Sequence, residues 1–106
     1  MTRAQAEALL NHLWQRGTAF LGCRYAIMGG AMTWVSERNL VSAISNAGGF
    51  GVIASGSMPP GILAAEIAAT YKLTDRPFGV NLITLHPKLE QLVEACLDAK
   101  VGHVVL

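Results

Sequence analysis

With 106 residues and a formal net charge of +1, the chain has room for one domain with a modest core. It carries no basic run, which excludes nucleic acid and anionic lipid as electrostatic partners and leaves a small molecule as the better ligand class. Hydrophobic residues make up 52% and charged residues 14%, against roughly 25% charged in an average soluble domain, so much of the surface expects to be covered.

Residues 2 to 16 read as a leading helix. Thr2 and Gln5 have capping-box spacing, Ala6, Leu9, Leu10, Leu13 and Trp14 share one face, and Gly17 is the expected stop. From Tyr25 onward, apolar strand-like runs begin near Tyr25, Phe50, Phe78 and His103, at spacings of 25, 28 and 25 residues. Three helical segments lie between them. Ser36 is expected to cap the first, with Glu37 favourably placed against the helix dipole and Leu40, Val41, Ile44 and Ala47 as its buried stripe; Gly48 and Gly49 end it. Ser57 and Pro59 open the second, whose apolar face includes Ile62, Leu63, Ile67 and Leu73, and Thr74-Asp75-Arg76-Pro77 closes it. The third begins near Pro87 with Leu89, Leu92, Val93 and Cys96 on its face.

Strands that are apolar throughout, joined by helices of this length, predict a parallel α/β sheet covered on both faces or closed into a barrel. A repeat of 25 to 28 residues is close to the roughly 30 per unit of a TIM (β/α)8 barrel of about 250 residues. On that reading residues 1–22 are a leading helix and linker, and residues 23–106 are the truncated N-terminal half of a barrel, running through four strands. The last strand lacks a covering helix, and its uncovered edges predict self-association. Cys23 and Cys96 show no metal or redox spacing, the N-terminus lacks the apolar core of a signal peptide, and no apolar run nears the roughly 18 residues that span a bilayer. The expected compartment is the cytoplasm.

In parallel α/β folds ligands bind at the carboxyl ends of strands, where loops converge and helix N-termini present free N–H groups. This rule sorts the glycines. Gly48, Gly49 and Gly51 run from a helix into a strand, the reverse of the order a dinucleotide fingerprint requires, and read as a helix cap followed by close helix–strand packing. Gly29, Gly30, Ala31 and Met32 instead follow the first strand, where small residues let a flat ligand approach the backbone; a tight turn without a ligand is the other reading. Gly56, Ser57 and Met58 repeat the arrangement after the second strand. Asn81 interrupts an apolar run near the end of the third strand and needs a hydrogen-bond partner, either a ligand amide or imide or the backbone of the barrel mouth. His86 is the one histidine expected near the mouth, as a substrate contact or as a cap before Pro87. Trp34 either walls the pocket or packs on the helix after the first strand. No metal constellation, nucleophile elbow or phosphate-binding P-loop is present.

Four segments together resemble the nitronate monooxygenase family, formerly 2-nitropropane dioxygenases: Ile27-Met28-Gly29-Gly30-Ala31-Met32-Thr33-Trp34-Val35, Ser45 to Ile53, Gly56-Ser57-Met58, and Pro77-Phe78-Gly79-Val80-Asn81-Leu82. The resemblance implies an FMN-dependent (β/α)8 barrel in which the loop at Gly30, Ala31 and Met32 lies against the flavin and the Asn81 side chain hydrogen-bonds its pyrimidine ring. It also implies the reaction, in which the flavin takes an electron from a bound alkyl nitronate, O2 reoxidises the flavin, and a carbonyl compound and nitrite leave. Ala26 stands where the family usually has Pro. The catalytic histidine and the phosphate-binding glycine loops of the family fall beyond Leu106, so no catalytic base is assigned here. Flavin-dependent enoyl-acyl-carrier-protein reductase, which shares the barrel, is the alternative enzyme reading. A non-catalytic fragment or self-pairing half-barrel is the alternative of a different class.

Overall fold

The computed structural model describes all 106 residues. Four strands, β1 (Met28–Gly29), β2 (Phe50–Ala54), β3 (Phe78–Asn81) and β4 (His103–Val105), form one parallel sheet in the order β1-β2-β3-β4. The crossovers between them are α3 (Arg38–Asn46), α4 (Pro60–Leu73) and α5 (Leu89–Asp98). Two helices precede the sheet, α1 (Arg3–Leu13) and α2 (Gln15–Leu21). Sequential, all-parallel β/α units are the expected architecture, and they make the chain a part of a (β/α)8 barrel.

Register separates two faces. Pairing of Gly51 with Phe78 and of Ile53 with Val80 puts these positions on the helix side, where Ile53, Phe78, Val80 and Leu82 bury against Val41, Leu63, Ile67, Leu92 and Cys96. The other side carries Met28, Phe50, Val52, Gly79, Asn81, His103 and Val105 by the same pairings. Phe50, Val52 and Gly79 are buried there, and the first two form a small apolar cluster with Leu21 of α2. Helix α2 thus plugs the amino-terminal end of this inner face, and the His103 ring stands edge-on to both Phe20 and Phe50, with centroids 5.0 Å away in each case.

Glycines make the close layers. An added Cβ at Gly51 would run into the Val41 backbone, with Val41 Cα at 2.9 Å, and one at Gly79 would lie 2.9 Å from the Phe50 ring. Gly48 has φ of 100° and takes the turn from α3 into β2. The expected packing role of Gly48 to Gly51 is therefore borne out.

Several expectations are corrected. The leading helix divides at Trp14, and Gly17 lies inside α2, where a Cβ would approach Ala26 Cβ to 3.0 Å. Gly17 serves close packing, while Gly22, with φ of 71°, is the stop. The capping box of Thr2 and Gln5 forms as expected, yet α1 buries no residue and Leu13 is 70% exposed. Ser36 does not cap α3; Glu37 does, its carboxylate accepting from Asn39 N and Leu40 N. The stripe of α3 is Val41, Ser42 and Ser45, and Ile62 and Leu73 of α4 are exposed. A β1 that begins at Met28 leaves Tyr25 before the strand, because an edge strand has one neighbour to define it.

Candidate functional site at the carboxyl rim of the sheet

Three loops gather where the strands end: residues 30–37 after β1, 55–59 after β2 and 82–88 after β3. The first is held by Ser36, which is buried. Its Oγ accepts from Met32 N at 2.9 Å, while Met32 O accepts from Val35 N and Ser36 N. Ser36 O in turn accepts from Ala54 N at 3.0 Å, tying the loop to the end of β2. The second loop is tied to the third strand, because both Ser55 N and Ser55 Oγ donate to Asn81 O. Sequence reasoning gave Ser36 a different task, capping α3, and missed Ser55, whose only signal is a small polar residue directly after an apolar strand.

Of the expected cofactor residues, Gly29 belongs to β1 rather than to the loop and faces α3, where an added Cβ would collide with Ile44. Its role is packing. Gly30 follows on the inner side, itself exposed, with a hypothetical Cβ 3.2 Å from Val52 Cβ, so its backbone lies flat against β2. Ala31 and Met32 are exposed in the same loop. Asn81 ends β3 on the inner face; its Nδ2 donates to Val105 O at a long 3.4 Å, and its Oδ1 accepts nothing. A loosely held amide with a free acceptor and a bare glycine backbone on one inner face form a surface that fits a flat heterocycle with imide-type donors and acceptors.

Trp34, Ser57 and Met58 come together with Pro59, Ile62, Glu37 and Glu66 around a mostly apolar groove of about 370 Å³ at the rim. Trp34 is 80% exposed, so it walls this groove rather than packing on α3, and it holds a left-handed φ of 68°, costly for a bulky residue. His86 is not part of the groove. Its Nδ1 accepts from Lys88 N at 3.0 Å, which ties it to the turn before α5. Arg38 and Glu66 brace the outer wall: Arg38 Nη2 lies 2.6 Å from Glu66 Oε1, Nε contacts both carboxylate oxygens, and Arg38 N donates to Oε2 at 3.1 Å. The guanidinium hydrogen bond holds the Glu66 carboxyl below its ordinary range, against a smaller opposing effect of burial, and the same contact raises Arg38. Burial alone pushes the Cys96 thiol up, as suits a core residue. No group of His, Cys, Asp or Glu is arranged to hold a metal, and no helix is long and apolar enough to cross a membrane.

Four sequential parallel strands joined by helices, with their loops converging at the strand ends, define a segment of a (β/α)8 barrel. Residues 15–102 match the nitronate monooxygenase family, and the chain belongs to it. Among curated relatives, a nitronate monooxygenase of Pseudomonas aeruginosa is 40% identical over 72 residues, 68% of this chain and 20% of that protein. The (3aS,4S,5R,7aS)-5-hydroxy-7a-methyl-1-oxo-octahydro-1H-indene-4-carboxyl-CoA dehydrogenase of Mycobacterium tuberculosis is 43% identical over 65 residues, 61% of this chain and 18% of that protein. The solved structure of FabK from Thermotoga maritima superposes with a TM-score of 0.82 at 40% identity, over 84% of this chain and 29% of that one. The chain spans about a fifth of the length of these curated relatives.

Proposed function

We propose that this chain forms the amino-terminal wall of the flavin site in an FMN-dependent nitronate monooxygenase that converts alkyl nitronates and O2 to carbonyl compounds and nitrite. The observation that carries the reading is the placement of Gly30, against Val52, and of Asn81 on the same inner face of the sheet, within a segment matched by that family. Bound there, FMN supplies the one-electron chemistry between nitronate and O2. The backbone at Gly30, Ala31 and Met32 supports one side of the ring, and the Asn81 amide orients it through its free Oδ1 and weakly engaged Nδ2. Trp34, Ser57 and Met58 line the approach for the apolar part of the substrate. No residue of this chain is assigned as the base.

Likeness to FabK supports a second reading, a flavin-dependent enoyl-acyl-carrier-protein reductase, through the same residues. The test is the visible spectrum and turnover of a full-length protein carrying this segment, reconstituted with FMN. Flavin absorbance with nitrite release from propyl-2-nitronate in air is expected. A colourless protein that gains no activity with FMN overturns the proposal, and NADH-driven enone reduction without nitronate oxidation selects the second reading.

A further inference from the structure

The carboxyl end of β3 is held by its backbone and left free at its side chain. Asn81 O accepts from Ser55 N at 3.3 Å, a long contact for the last rung of a parallel ladder, and also from Ser55 Oγ. The hydroxyl therefore supplies the bond that the stretched amide barely makes. On the other side Leu82 N donates to Val105 O at 2.8 Å. The Asn81 amide reaches that same carbonyl at 3.4 Å, as a second donor to an oxygen already engaged. Turning the side chain toward a ligand costs one weak contact, whereas moving the backbone breaks stronger ones.

Ser55 is itself fixed. It has no exposure, it directly follows the five buried residues of β2, and its carbonyl accepts from Met58 N at 2.9 Å, which closes the turn toward α4. A serine hydroxyl has one proton to give, and this one goes to Asn81 O. Ala54 with Asn81 is the last pairing of β2 with β3, so no regular ladder beyond it holds this end. With both lone pairs of Asn81 O taken by Ser55, the acceptor left for a flat heterocycle at this rim is the side-chain Oδ1. The backbone carbonyl is withdrawn from competition for an imide N–H.

We propose that Ser55 is a positioning residue for the flavin site: its hydroxyl clamps the carbonyl of Asn81 and thereby sets where the Asn81 amide meets the pyrimidine end of FMN. The inference rests on the flavin reading of this rim and adds to it a buried residue that acts only through Asn81. The clamp joins β2 to β3, each of which has a paired neighbour on both sides, so it does not depend on what lies beside β1 or β4. Loss of the hydroxyl leaves Asn81 O with the long Ser55 N contact alone. The end of β3 then relaxes, and the amide meets the ring from a displaced position.

The test is a double-mutant cycle on a full-length protein carrying this segment and reconstituted with FMN. The FMN dissociation constant is read by flavin fluorescence, and the visible spectrum of the bound flavin is recorded alongside. Ser55→Ala is expected to weaken FMN binding about three- to tenfold, the size of one neutral hydrogen bond, and to shift the visible band in the direction that Asn81→Ala shifts it. In the Asn81→Ala background the same change is expected to add less than about twofold, because the group it positions is gone. Urea denaturation of each protein separates this coupling from loss of fold. Should Ser55→Ala fail to fold, Ser55→Cys, whose thiol is a weaker donor, carries the same cycle. Unchanged FMN affinity on loss of the hydroxyl, or equal losses in the two backgrounds, overturns the inference and leaves the flavin reading standing. An unsubstituted protein that takes up no FMN overturns both.

Discussion

The two faces of the sheet are built to different degrees of completion. On the helix side, nine buried residues from β2, β3, the loop after β3 and three helices make one continuous core. On the inner side, Leu21, Phe50 and Val52 are the entire buried cluster. The outer layer is assembled from local β/α units, each helix folding back on its own strands. The inner layer needs residues from around a closed ring, so its stability is nonlocal by construction. The difference teaches that this chain is stabilised by its helices and left open by its barrel interior.

Substitutions should divide along that line. Ile53→Ala, at a site with no exposure, is expected to cost about 2 to 5 kcal/mol in urea denaturation, while Val105→Ala, 36% exposed on the inner face, should cost under about 1 kcal/mol; equal losses would break the comparison. Next in size, Gly51→Ala forces a Cβ into the Val41 backbone and should lose about 1 to 3 kcal/mol. Gly30→Ala meets the Val52 side chain, with Cβ at 3.2 Å and Cγ2 at 3.4 Å; it should cost less stability than Gly51→Ala and lower FMN retention in a reconstituted full-length protein.

A smaller effect comes from pH. The Glu66 carboxyl is depressed when folded, so its contribution is fully present above its ordinary value of 4.5 and is lost as pH falls through the lower folded value. Thermal melts between pH 6 and 3 should show this loss, and Glu66→Gln should flatten that part of the profile. The smallest effect is expected at Trp34. Trp34→Asn keeps the left-handed turn with a residue that tolerates it, and should change stability by no more than about 0.5 kcal/mol. A large loss would mean that the exposed indole holds the fold.

The sequence made the sheet legible because its strands are short unbroken apolar runs, such as Phe50 to Ala54, separated by helices with their own punctuation. It made the leading segment illegible. Gly17 looks like a stop because a glycine's two uses, turning and close approach, have the same spelling, and only the contact with Ala26 tells them apart. Leu9, Leu10 and Leu13 have the spacing of a buried face and no partner to bury against. At the rim, Trp34, Ser57 and Met58 do converge on one groove, whereas Gly29 falls on the wrong side of the sheet by the two-residue alternation of a strand. His86 points to a different lesson: a histidine at a loop is as readily spent on a backbone N–H as on a substrate.

The serine ties at the rim carry one more consequence. Met32 N, Ser36, Ala54 N, Ser55 and Asn81 O form a nearly continuous relay of hydrogen bonds and covalent steps across three strand ends. Such a brace fixes loop dihedrals before any ligand arrives, so association need not freeze them at that moment. The entropy of ordering the rim is thereby charged to folding rather than to recognition, and the same brace would carry a push on Met32 to the backbone of Asn81, two strands away.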